Sequence, residues 1–145
     1  MIKNIVCNGK EDYSFYLMCD CGGEILQFYY YKKSTYSDEK IGIKFFGHID
    51  GSKNSYDRLV MINSNDLKTL VDAIKSDGSV FECGLGDSYF VVKHSNDGFI
   101  HIIKAKDEKR YSKDEFIWDI IIHKVSVNDL IEQINKMIVY IEKCN

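Results

Sequence analysis

A repeated strand-to-helix unit constrains this chain more than any other feature. Leu59-Val-Met-Ile-Asn-Ser-Asn-Asp-Leu-Lys-Thr-Leu-Val-Asp-Ala-Ile74 and Ile120-Ile-Ile-His-Lys-Val-Ser-Val-Asn-Asp-Leu-Ile-Glu-Gln-Ile-Asn-Lys-Met137 each run an apolar strand into a helix. Asn63 and Ser126 are natural N-caps, because their side-chain oxygens accept from the free N–H groups of a first turn. Asp66 and Asp129 fall three residues further on, where a carboxylate closes a capping box and favours the helix dipole. Leu67, Leu70, Val71 and Ile74, and then Leu130, Ile134, Met137, Ile138 and Ile141, recur at the three- and four-residue spacing of a buried helix face. Internal repetition of this kind calls for two copies of one supersecondary unit that bury their faces together.

Alternation at period two places four strands ahead of each helix. In the first half these are Tyr13–Cys19, Glu24–Tyr31, Ile41–Ile49 and Asp57–Ile62, with Ile2–Cys7 as an additional N-terminal strand. In the second half they are Ser79–Cys83, Ser88–His94, Phe99–Lys104 and Glu115–Lys124. The Asn96-Asp97-Gly98 link is a strong hairpin signal between apolar alternations. The chain therefore reads as an α+β protein of tandem ββββα repeats with antiparallel sheets, one helix backing each. Residues 1–78 form the first repeat with its extra strand and 79–145 the second. The junction at Ser76–Ser79 is too short for a swinging linker, so the halves should pack as one unit.

The same alternation assigns faces. Tyr13, Phe15, Leu17 and Cys19, then Leu26, Phe28 and Tyr30, then Ile41, Ile43 and Phe45 should face the helix. Tyr16, Met18, Gln27, Tyr29, Tyr31, Lys44, Phe46 and His48 should face away, with Tyr89, Lys93 and His101 in similar places in the second half. An ordinary solvated sheet face is richer in Thr, Glu and Lys. Tyr29, Tyr31, Lys44, Phe46, His48, Tyr89 and Lys93 are therefore the expected partner-binding residues, with tyrosines as anchors. Glu115–Lys124 is apolar on both faces, which predicts either a central strand or a strand beneath a subunit contact, so a homodimer is expected as a possibility.

Composition removes several classes of function. The 145 residues are 45% hydrophobic with net charge −3, which excludes disorder as the main state, and each half carries nearly balanced charge, so neither is a basic arm or an acidic tail. The longest apolar run is too short to span a membrane, and Met1–Cys7 lacks a signal-peptide apolar stretch. Five cysteines, at positions 7, 19, 21, 83 and 144, form no disulfide framework. The expected location is cytoplasmic. Abundant Lys, Ile, Asn, Tyr and Phe with no Pro imply A/T-rich codons and hence a low-GC bacterium, phage or plasmid.

No motif specifies catalysis, a metal or a cofactor. Cys19-x-Cys21 has one residue between its cysteines and no second pair, unlike a structural zinc knuckle. Cys83 and His48, His94, His101 and His123 lack any local nucleophile signature. Asp119 and His123 share a strand face about 13 Å apart by strand rise, beyond a dyad. Gly84-x-Gly86 lacks the third glycine and the helix of a dinucleotide loop. The carboxylate pairs Glu11-Asp12, Asp38-Glu39, Asp107-Glu108 and Asp114-Glu115 sit in predicted loops without apolar surroundings to raise a pKa.

Phe28-Tyr29-Tyr30-Tyr31-Lys32-Lys33 is the most suggestive segment, since exposed rings stack bases while lysines neutralise phosphate. Two ββββα units in tandem, the repeated Asn-Asp-Leu helix starts at 65–67 and 128–130 and the Tyr29–Tyr31 strand together resemble the Whirly and PUR-repeat single-stranded DNA binders. The resemblance implies curved sheets backed by helices that present aromatic and basic residues to unstacked bases. The leading expectation is a non-catalytic inhibitor or regulator of phage or mobile-element type, for example anti-defence or anti-CRISPR, docking on a host protein or nucleoprotein. Tyr29, Tyr31 and Phe46 would be its anchors, and the acidic loops Ser37–Lys40 and Asp107–Glu115 would mimic or displace nucleic acid. The alternative is a single-stranded nucleic-acid binder using the same face, with Lys44, Lys93 and His101 near the backbone.

Overall fold

The alternating segments form strands because one side chain in two is large and apolar, and they stop where Gly, Asn, Asp and Ser supply turns. The computed structural model describes residues 2–5, 13–18, 25–48, 55–76, 80–86, 88–105 and 116–144. β1 (Ile2–Ile5), β2 (Tyr13–Met18), β3 (Ile25–Tyr31), β4 (Lys40–His48) and β5 (Ser55–Ile62) build one antiparallel sheet in sequential order. α1 (Ser64–Lys75) follows it. β6 (Val80–Leu85), β7 (Ser88–His94), β8 (Phe99–Ala105) and β9 (Phe116–His123) build a second antiparallel sheet, again in sequential order, and α2 (Val127–Cys144) follows after a 3-10 turn, Lys124–Ser126. The fold is α+β, each sheet followed by its helix as the repeat predicts.

The helix starts differ in detail. At α1 the capping box is complete: Asn63 Oδ1 accepts from the Asp66 N–H at 2.9 Å, and Asp66 Oδ2 accepts from the Asn63 N–H at 2.9 Å. Ser126 instead ends the 3-10 turn, whose N-cap is His123, with His123 Nδ1 accepting from the Val125 N–H at 3.3 Å. The imidazole caps the 3-10 turn that leads into α2.

One buried core joins both halves. Phe15, Leu17, Leu26, Phe28, Tyr30, Ile41, Ile43 and Phe45 line the inner face of the first sheet, with Phe15 and Phe28 stacked at 4.7 Å. Phe90, Val92, Ile100, Ile102, Ile120 and Ile122 do the same in the second. Between them Leu67, Leu70, Val71 and Ile74 of α1 meet Leu130, Ile134, Met137, Ile138 and Ile141 of α2. The helices run antiparallel. Lys68, near the start of α1, pairs with Glu142, near the end of α2, at 3.3 Å.

The helices also reach across the repeat. α1 lies against β6 and α2 against β2, and the Tyr140 ring sits 5.2 Å from Tyr13 and 6.0 Å from Tyr30. The simple picture of one helix per sheet thus becomes a shared helix pair, which a fused core requires. β9 is an edge strand rather than a central one. Its Ile120 and Ile122 are core, while Asp119 and Ile121 on the opposite face are only partly covered. Among the described residues no helix is long and apolar enough to cross a membrane.

Candidate binding site

Cross-strand register decides what the outer face of the first sheet presents. Tyr29 of β3 lies opposite Gly42 of β4, which in turn lies opposite Met61 of β5. Gly42 has no side chain, so the Tyr29 ring lies over it; a Cβ there would come within 2.3 Å of the tyrosine hydroxyl. The hydroxyl donates to Met61 Sδ at 3.6 Å, and the Tyr31 ring meets Tyr29 edge-on at 5.2 Å and 70°. Tyr29 is consequently only 7% exposed. Period two places it correctly on the outer face, but its cross-strand neighbours cover it. It is therefore a floor residue rather than a projecting anchor.

Around this floor the sheet forms a concavity of about 560 Å³, lined by Gln27, Tyr31, Lys40, Lys44, Met61 and Ser37 together with Tyr29. Lys40 and Lys44 flank Gly42 on one strand face, about 13 Å apart by strand rise. Gln27 is fixed by donating to Ser14 Oγ at 2.9 Å. On one side the β3–β4 loop is held by Ser34, whose N–H donates to the Ser37 carbonyl at 2.9 Å and whose Oγ accepts from the N–H groups of Tyr36 and Ser37. That turn leaves Tyr36 98% exposed beside the concavity. The arrangement is a preformed aromatic and thioether floor between two ammonium groups, suited to an anionic group or a flat ring.

Of the expected partner-binding residues, Tyr29, Tyr31 and Lys44 come together here. Phe46 and His48 lie further along β4, and their side chains are outside the described residues. Tyr89 and Lys93 belong to β7 of the second sheet and line none of the concavities described. Tyr89 packs on Val91 and Ile103 in a small separate cluster. Lys93 lies opposite His101. Gln27 and Met61 complete the site without having been singled out as partner-binding from sequence, and Ser37 and Lys40 bring to it the ends of the loop expected to take part in docking. The isolated Gly42 in an otherwise bulky strand was the available signal, since a strand glycine marks a close approach of something else.

Asp119 finds a different histidine from the one its own strand offers. His101 Nδ1 lies 3.1 and 3.0 Å from the two Asp119 oxygens across the β8–β9 pairing. Among the described residues this carboxylate is the one hydrogen-bond partner of His101. Glu39 of the Asp38-Glu39 pair accepts from the Tyr30 hydroxyl at 3.0 Å. Lys104, another residue not singled out, is 6% exposed, with its ammonium 5.9 Å from the Phe90 ring centroid. A smaller concavity joins the end of α1 to the start of α2, where His94 Nε2 lies 3.4 Å from the Ala73 carbonyl oxygen. Among the described residues no three His, Cys, Asp or Glu side chains gather as a metal site would need. Cys19, Cys21 and residues 106–115, with their acidic pairs, lie outside the described residues.

Burial pushes the Tyr29 phenol up to about 12 from its ordinary 10.0, and the neighbouring Tyr31 adds charge repulsion in the same direction. The folded protein therefore holds this proton where the unfolded chain releases it. The corresponding stability is complete below pH 10 and is lost as pH rises through about 12. Urea midpoints measured below pH 10 and again near pH 12 should fall further for the wild type than for Tyr29→Phe. Equal falls would mean that Tyr29 ionises as an exposed phenol does.

No protein-family model matches the chain, and no curated protein matches it.

Proposed function

We propose that the chain is a non-catalytic binding protein whose docking site is the outer face of the first sheet. In this reading its partner is a host protein or nucleoprotein, and it acts as an inhibitor or regulator of phage or mobile-element type. The observation that supports it is the preformed concavity over Gly42, where Tyr31, Met61 and two lysines surround a floor already fixed by Tyr29. A pocket of this kind takes an acidic or aromatic side chain from a partner at little ordering cost, and tyrosine-rich pockets are where binding energy concentrates. The second reading, a single-stranded nucleic-acid binder, is favoured by one particular: Lys40 and Lys44 bracket the tyrosines on one face, as phosphate contacts flanking a stacked base would.

One experiment separates the two. The wild type and Lys40→Glu/Lys44→Glu are compared in affinity capture from a low-GC bacterial host lysate and in fluorescence anisotropy with labelled single-stranded oligonucleotides across a salt series. A protein partner captured by the wild type and lost by the variant, with no oligonucleotide binding, supports docking on a protein. Oligonucleotide binding whose log K falls with log salt at a slope of about −1.4, as two neutralised phosphates require, and which the variant loses, supports the second reading. Binding that the variant retains removes this face from the reading which that assay tests. Lys40 is exposed and Lys44 half-buried, so Lys40→Glu alone is run beside the double variant, with circular dichroism on both to show that each is folded.

A further inference from the structure

We propose that the outward face of α2 is a two-fold interface on which a second copy of this chain packs its own α2, antiparallel to the first. The observation is independent of the sheet face. Along α2 lies a concavity of about 700 Å³, closed on one side by Tyr13 and otherwise lined by the helix itself. Ile131, Asn135, Val139 and Lys143 form one row at four-residue spacing along it, and Asn128, Glu132, Lys136 and Tyr140 form a second. Two such rows leave a groove shaped for the same kind of row on another helix, crossing at about −50°. Apolar side chains, Ile131 and Val139, lie on either side of Asn135 along the groove, and Val139 is 49% exposed, although the helix already buries its opposite face in the core.

The order of charges selects the occupant. Asp129 and Glu132 lie in the first half of the helix and Lys136 and Lys143 in the second. The remaining acid of that second half, Glu142, is held by Lys68 of α1. A two-fold axis near Asn135 lays the acidic half of each helix over the basic half of the other, whereas a parallel arrangement would stack like on like. Glu132 and Lys136, already 3.2 Å apart within one helix, then meet their opposites across the axis. The two Asn135 amides face each other there, and each can donate to the other. A polar residue so placed fixes register in helix pairs.

Light scattering across a concentration series tests the proposal on the full chain. The wild type should pass from monomer to dimer, and Val139→Asp should raise the dissociation constant at least about tenfold by placing a charge in the contact, with circular dichroism unchanged and a melting temperature equal to that of the dilute, monomeric wild type. Glu132→Lys and Lys136→Glu should each weaken the homodimer. Mixed in equal amounts, they should form heterodimers above the statistical proportion in native mass spectrometry, because each variant then meets its complement. A wild type that stays monomeric, a dimer indifferent to Val139→Asp, or a mixture without excess heterodimer overturns the interface.

Discussion

Gly86→Ala should destabilise the protein by about 3 kcal/mol or more, at the upper end of what single substitutions do. Gly86 closes the β6–β7 hairpin at φ +58, in the left-handed region that costs an L-residue about 1–2 kcal/mol. Strain is the smaller part. A Cβ at this position would lie 2.2 Å from the Met61 carbonyl oxygen, a backbone atom in β5 that no rotamer change can move. Either the hairpin or the end of the first sheet must shift. The Gly86 N–H also donates to Asp66 Oδ2 at 3.0 Å, and that oxygen completes the capping box of α1. One displacement therefore loosens the hairpin, the helix start and the seam between the halves. Urea denaturation followed by far-ultraviolet circular dichroism should show a lower midpoint with an unchanged slope. Gly98→Ala is the internal comparison. Its φ of +91 is equally left-handed, but nothing lies within 4 Å of the added Cβ, so strain acts alone at about 1–2 kcal/mol. Equal losses at the two glycines would remove the Met61 contact as the cause.

That seam illustrates what local pattern encodes and what it leaves open. Period-two alternation located the strands to within a few residues and assigned Phe15, Phe28, Ile43 and their neighbours to the core face, because a half-buried strand writes its burial into its own residues. The capping box at Asn63 was equally local. The exchange by which α1 lies against β6 and α2 against β2 was not legible, since apolar helix faces specify burial but not the sheet that supplies it. The pairing of His101 with Asp119 was missed for a related reason. Spacing along one strand excluded His123, but the partner lies on the neighbouring strand and depends on register.

The candidate site divides in the same way. Alternation put Tyr29, Tyr31 and Lys44 on one outer face, and the structure brings them together. It could not give the exposure of Tyr29, which depends on a glycine directly opposite it on β4 and a methionine one strand further. The acquisition of Lys40 and Ser37 depends on the loop turned back by Ser34. Faces are properties of single strands, whereas pockets are properties of registers and loops.

Tyr29→Ala should cost about 3 kcal/mol, comparable with removing a core aromatic, even though the residue lies on the outer face. The ring is 7% exposed, covers Gly42, and gives a hydrogen bond to Met61. Gly42→Ala should cost about 1–3 kcal/mol by overpacking, because the added methyl occupies the space of the phenol and drives the ring off the sheet. The two losses should not add. With the ring gone, the three atoms nearest the methyl at position 42 are removed and the glycine's entropy cost is relieved, so Gly42→Ala in the Tyr29→Ala background should be neutral or stabilising. The resulting coupling of about 1–3 kcal/mol is the range expected for residues in direct contact. Thermal unfolding of the four proteins measures it, and a Gly42→Ala cost that is the same in both backgrounds would show that the ring does not lie over the glycine. The double variant has a second use. It should keep the sheet while lacking the aromatic floor of the concavity, so a partner that binds there should lose affinity for a folded protein. Undiminished binding to the double variant would place the docking surface elsewhere on the molecule.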